Sequence, residues 1–386
     1  MNSDNSTSAK RAEQISALVR RVMEQGSIAV VHGGDPKSPG AVLHETFNPR
    51  GTKSYRVVAE DIANALGRSG FRNVHVVPDG LRLADELLAL KADLVWVNSG
   101  GVQGYNPSSH TPAMLELMGL PYVGHDPLAA SLLDNKHIFK HLMRSLGIPT
   151  ADFITWNGSG ALDFDNLHRV LGADGPYVVK PVTGRASNHV IFIDRLSDVC
   201  DAMRDVHALT LNDVLVENYL PGAEYAVAVC GGVRACGGSF TVSDEPSVFS
   251  PVQRVLETDE RIFTSMDVKP ITRARLRIVP QGDPVRDELA HMARAVYDGV
   301  NLGALVRLDV RADATGKCCV LEGNPKPDLK ALDDDAINIV SLGLPELGMT
   351  YDDLILSLLA DKLFYYAERR PQAAPDLARF FETKRR

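Results

Sequence analysis

The chain has 386 residues, more than one hydrophobic core usually organises, so two or three structural units are expected. Hydrophobic residues make up 45% and charged residues 23%, an ordinary globular balance. The formal net charge of −8 argues against a nucleic-acid surface or an anionic membrane surface, both of which select for basic patches. A small charged metabolite stays compatible, because the charge of one cleft need not follow the total.

In chain order, the polar stretch Met1–Ser8 lacks an apolar signal segment and reads as a disordered tail, followed by an amphipathic helix over 11–25. Ile28–Val31 reads as a buried strand running into His32-Gly33-Gly34. A helix over 54–69 follows, with Ser54 as N-cap and Gly70 at its end. Strands at 73–77 and 93–97 enclose another helix, and Asn98–Gly101 is the turn after the third strand. Strands alternating with helices imply a parallel sheet, with ligands at the C-terminal strand ends. The loops at His32–Gly34 and Asn98–Gly101 are therefore either substrate contacts or plain turns. Asp134 or Asn135 opens a helix with Ile138, Leu142 and Leu146, and Phe139 with Met143, at i,i+4 spacing, closed by Gly147. Short strands are expected to dominate 150–230, and strands, a long polar loop and C-terminal helices the remainder. The fold class is α/β (α+β), in four stretches: 1–25, 26–133, 134–230 and 231–386.

No apolar run approaches the roughly 18 residues that a membrane span needs. The five cysteines, Cys200, Cys230, Cys236, Cys318 and Cys319, have neither zinc-site nor disulfide-framework spacing. They read as reduced, packed thiols of a cytoplasmic protein.

The most informative stretch is Leu305–Arg311 and Cys318–Asn324, two strand-like runs around Thr315-Gly316. If those two residues form the loop, Asp309 faces Glu322 and Arg307 faces Asn324, and side chains two apart share one face. Two directly opposed carboxylates repel unless a cation lies between them. Mg²⁺ takes hard oxygens, usually one or two carboxylates plus phosphate oxygens, and Asp309, Glu322 and Asn324 supply such a set. A solvent-facing hairpin is the alternative.

Pro176–Pro181 is an apolar strand interrupted by Lys180. A buried lysine needs a partner, and a phosphate is one; the loop 182–188, with Ser187, carries small residues able to cover phosphates through backbone N–H groups. An edge-strand lysine before a polar turn is the other reading. Two apolar strands in 213–229 flank a turn with Glu217 and Glu224, which suit an adenine amino group and ribose hydroxyls, or else a surface hairpin.

Taken together and in order, these segments resemble the ATP-grasp superfamily and, within it, the D-alanine–D-alanine ligase family. The resemblance covers residues 28–345 and includes Leu117–Gly124, Asn135-Lys136, Val179–Pro181, Val216–Glu224, Arg307–Asp309 and Glu322–Asn324. It implies an ATP-grasp fold with an N-terminal parallel-sheet domain and two ATP-clasping subdomains. It implies Lys136 and Lys180 on ATP phosphates, Glu217 and the Leu220 backbone on adenine, and Glu224 on ribose. Asp309, Glu322 and Asn324 would bind two Mg²⁺ (or Mn²⁺), with Arg307 stabilising the oxyanion and Lys269 near a mobile loop on phosphate. The implied activity is ATP-dependent joining of an amino-acid-type carboxylate to an amine through an acyl phosphate, with 183–189 and 243–270 as lid segments. A homodimer is usual in that family.

The acceptor region departs from the family. Its Asn-x-x-Pro-Gly-Met-Thr segment reads Asn324-Pro-Lys-Pro-Asp-Leu329 here, without the glycine, and Lys326 and Lys330 are either carboxylate holders or solvated lysines. The phosphate loop ends Ser187-Asn188-His189 where the family prefers a glycine. Gly33-Gly34 runs into Asp35–Pro39, leaving Glu45 as the counterpart of the family's glutamate. A related amino-acid or peptide ligase is thus expected at least as readily as D-Ala–D-Ala synthesis for the cell wall. A glutathione-synthetase-like ligase and a non-catalytic ATP-binding module are the rivals; biotin carboxylation is disfavoured by the lack of a Glu-Met-Asn-x-Arg sequence.

Overall fold

The computed structural model describes residues 2–373 except 35–53, 105, 186, 259, 263–268, 270 and 333–336, together with 375, 377 and 379. Asp35–Pro39 and Glu45 fall outside the described residues.

Three sheets carry the architecture. The first is fully parallel, in the order Asn73–Pro78, Ser27–His32, Leu94–Asn98, Tyr122–Val123. Its strands are apolar on both faces because helices cover both. The second is antiparallel, in the order Phe153–Trp156, Val214–Asn218, Tyr177–Pro181, Ile191–Ile193. The third runs Leu276–Ile278, Val252–Arg254, Glu224–Cys230, Val306–Ala312, Cys318–Asn324, with Ser247–Val248 also on Glu224–Cys230.

Alternation along the third sheet separates its faces. Val227, Val229, Val306, Leu308 and Val310 pack against Leu289, Met292, Ala293 and Val296 of the helix Pro284–Gly299. On the opposite face, Glu224, Asp309 and Arg311 line a cleft against the second sheet, and Arg307 shares their face of the strand. Phe139 and Met143 of the helix Lys136–Ser145 join the apolar core. Gly323 lets that helix approach: a Cβ there would come within 2.7 Å of Leu133 and 3.1 Å of Phe139.

Several expectations change. The helix Asn2–Gln25 includes the stretch read as a disordered tail, because Ser8 donates to the Val242 carbonyl and Arg11 pairs with Asp244. Tyr55, in a left-handed conformation, precedes the helix Arg56–Arg68, and Ser54 contacts His32 instead of capping it. The region 150–230 holds the helices Phe164–Leu171 and Leu196–Thr210; Val199, Met203 and Val206 carry a helical period in the latter. The boundary expected at 230 does not follow the sheets, since Glu224–Cys230 is central to the third sheet and Lys136–Ser145 packs beneath it. Asn135 does cap that helix, accepting from the Ile138 amide at 3.0 Å. Among the described residues, no helix is long and apolar enough to cross a membrane.

Candidate functional site

A cleft lies between the second and third sheets. Lys136, Lys180, Ser187, Glu217, Leu220, Glu224, Asp309 and Glu322 all line it. Sheet pairing places Arg307 and Asn324 next to the two acids. Lys269 is not among the lining residues: it pairs with Glu257 at 2.5 Å and lies 3.7 Å from Glu260.

The hairpin register is as the sequence suggests at the site and different at the turn. Arg307 faces Asn324 and Asp309 faces Glu322, but beyond Asp309 the pairing shifts by one, to Val310–Val320 and Ala312–Cys318. The connection is longer than two residues. Asp313 pairs back to Lys317, Gly316 takes φ +91°, and the Asp313 carboxylate accepts from the amides of Thr315 and Lys317. A bulge at Leu321 cancels the longer turn and turns Leu321 into the cleft wall.

On the second-sheet side, two lysines share one acid and a third reaches across to the hairpin. The Lys180 ammonium donates to Glu217 Oε1, and Lys140, fully buried on the helix Lys136–Ser145, lies 2.9 Å from Oε2. Burial pushes the Glu217 carboxyl up, but Lys140 and Lys180 outweigh it and hold the group at about 2. Burial pushes the Lys140 ammonium down further than Glu217 lifts it. Lys136 donates to the Gly184 carbonyl at 3.0 Å and lies 3.2 Å from Glu322 Oε2, which ties the phosphate-loop segment to the hairpin. Lys140 is a residue the sequence reading missed. Its signal was its i+4 spacing from Lys136, which puts both on one helix face.

On the third-sheet side, acids alternate with arginines. Arg254 Nη1 donates to Glu224 Oε1 at 2.9 Å and to Asp309 Oδ2 at 3.0 Å, and Nη2 to Asp309 Oδ1 at 3.2 Å. Arg307 donates to the same Asp309 through Nε at 2.9 Å and Nη2 at 3.2 Å. Arg311 reaches Glu224 Oε2 at 3.2 Å and the Tyr219 hydroxyl at 2.7 Å. Burial raises the Asp309 carboxyl, and Arg254 and Arg307 more than reverse it, leaving it below the ordinary carboxylate range. For Glu224 burial wins over Arg254 and Arg311, and its carboxyl is raised. Arg311 was legible two residues past Asp309 on the same face; Arg254 had no local signal.

A divalent cation suits the hairpin. Asp309 and Glu322 are directly opposed hard oxygen donors, and Asn324 lies two residues past Glu322 on the same strand. Two carboxylates and an amide are fewer oxygens than such an ion takes, and phosphate oxygens complete its shell.

Comparison with known proteins identifies the family. The family model described as D-ala D-ala ligase C-terminus matches residues 142–360, more than half of the chain. The chain belongs to this family. A D-alanine–D-alanine ligase of Anaeromyxobacter dehalogenans is 28% identical over 76% of this chain and 86% of its own length. An uncharacterized protein, y4sG, of Sinorhizobium fredii is 30% identical over 70% of this chain and 75% of its own. The crystal structure of D-alanine–D-alanine ligase from Bacillus anthracis complexed with ATP superimposes with a TM-score of 0.64 at 19% identity, covering 88% of this chain and 97% of that one. The Coxiella burnetii D-alanine–D-alanine ligase structure gives 0.62 over 93% of this chain. The fold is the ATP-grasp fold, and the protein is an ATP-dependent, ADP-forming ligase that uses a divalent metal.

Proposed function

We propose that the enzyme joins the carboxylate of one amino-acid-type substrate to the amine of another, through an acyl phosphate, with two Mg²⁺ (or Mn²⁺) at Asp309, Glu322 and Asn324. The observation that carries the reading is the register pairing of Arg307 with Asn324 and Asp309 with Glu322, facing the Lys136–Lys180 side of one cleft. A carboxylate is a poor electrophile, so its oxygen first attacks the γ-phosphorus of ATP, the bond to the β,γ-bridging oxygen breaks, and ADP leaves. Lys136 and Lys180 neutralise charge on the transferring group, and Glu217 holds the Lys180 ammonium toward the cleft. The metal, when bound, supplies Lewis-acid charge at the phosphates. The amine then attacks the acyl carbon, phosphate leaves, and Arg307 stands beside the metal ligands as the donor to the oxyanion. Glu224 and Leu220 would take the ribose and adenine.

The acceptor is proposed to be bulkier than D-alanine. A second cavity lined by Trp96, Leu305, Leu329, Leu358 and Lys326 borders the segment that lacks the family glycine. Leu305 immediately precedes the strand Val306–Ala312 that carries Arg307. A cytoplasmic homodimer completes the reading.

The test is ADP and phosphate release with amino-acid mixtures, followed by mass spectrometry of the product. Turnover that needs a substrate pair supports the ligase. No Mg²⁺-dependent turnover with any mixture would favour an ATP-binding module instead.

A further inference from the structure

Asp309 is saturated. An ionised carboxylate offers about four lone-pair sites, and Arg254 and Arg307 each donate once to Oδ1 and once to Oδ2. A metal ion can reach this carboxylate only if a guanidinium lets go. Arg307 sits on the same strand two residues away and serves only Asp309 among the acids it contacts. Arg254 comes from another strand and serves two acids. It pairs in register with Glu224, whose other neighbour in that row is Arg311. Asp309 lies one row diagonally away, opposite Ala226, whose small side chain leaves the path open. The same nitrogen, Nη1, bridges Glu224 and Asp309.

We infer that Arg254 is a positioning residue that links nucleotide and metal binding, acting as a shared counter-cation which each ligand displaces from one of its two acids. The inference rests on the proposed placing of ribose at Glu224 and metal at Asp309. A ribose hydroxyl at Glu224 loosens one arm of Arg254 and a cation at Asp309 loosens the other. Whichever binds first bears the cost of prising the buried guanidinium from the pair, and the second meets acids already released. Affinities linked in this way strengthen each other reciprocally. Without Arg254, the acids stand uncompensated and draw a cation directly.

The experiment titrates the full-length protein with Mn²⁺, read by the loss of the free-ion electron paramagnetic resonance signal, with and without adenosine. Adenosine has no phosphate, so it cannot ligate the metal, and any linkage passes through the protein. In the wild type, saturating adenosine is expected to tighten Mn²⁺ by about tenfold. In Arg254→Gln, Mn²⁺ alone binds more tightly and adenosine no longer changes its affinity. Arg254→Lys, a point charge without the fork, reduces the linkage several-fold and serves if the Gln variant does not fold. Wild-type linkage retained in either folded variant overturns the inference. So does a wild type that binds both ligands with no linkage, which leaves the functional reading standing. A wild type that binds neither Mn²⁺ nor adenosine overturns both.

Discussion

The two walls of the cleft manage charge in opposite ways. On the second-sheet side, Lys140 and Lys180 share a single interior acid, Glu217, which leaves positive charge to spare, while Lys136 reaches across to Glu322. On the third-sheet side three acids, Glu224, Asp309 and Glu322, stand against three arginines, Arg254, Arg307 and Arg311. The first wall is ready for an anion as it stands. The second must exchange cations before a metal can enter. On the proposed reading, one cleft holds a fixed wall for phosphate and a rearranging wall for metal.

The largest effects should come from the rearranging wall. Glu322→Gln keeps the fold but is expected to lower kcat by about 10³-fold or more, because on the proposed reading this carboxylate would help hold the metal that charges the phosphates; full activity in a steady-state assay would sink the metal assignment. On the fixed wall, Lys180→Met should lower kcat/KM for ATP by about 10²-fold, while Lys140 still holds Glu217 ionised. Lys140→Met acts on stability instead, since it leaves a buried carboxylate half paired at a cost of about 3–5 kcal/mol; an unchanged melting temperature would mean the cluster is wetter than its burial indicates.

The same wall sets an acid limit. Glu217 is held at about 2, below its unfolded value, so its contribution is full above the ordinary carboxylate range and is lost as pH falls through that range toward 2. Glu217→Gln should flatten the melting temperature against pH there, and an unaltered slope would separate the acid unfolding from this group. The smallest effect is expected at the turn, where Asp313→Ala removes three local hydrogen bonds and leaves kcat unchanged. A large fall in kcat would show that the turn, not the bulge, sets the site register.

What the sequence made legible follows physical range. Asp309 faces Glu322 and Arg307 faces Asn324 as alternation and an assumed two-residue turn suggest, but only because the bulge at Leu321 offsets a longer turn that no local rule announced. Lys180 and Glu217 stood out as charges in apolar strands, although their pairing across adjacent strands is a tertiary fact. Arg254 was invisible because its position depends on Val252–Arg254 joining Glu224–Cys230, and nothing near it in sequence announces that. The helix Leu196–Thr210 was missed for a different reason: its period was present but short strands on either side drew the reading.

The bulge at Leu321 has a consequence for how freely this protein can vary. It absorbs the mismatch between turn and site, so residues 313–317 and the acids are mechanically independent. New chain ends opened between Ala314 and Thr315, or a peptide spliced in at that point, should leave the ligase assembled and active, making the tip of the hairpin a natural port for engineering.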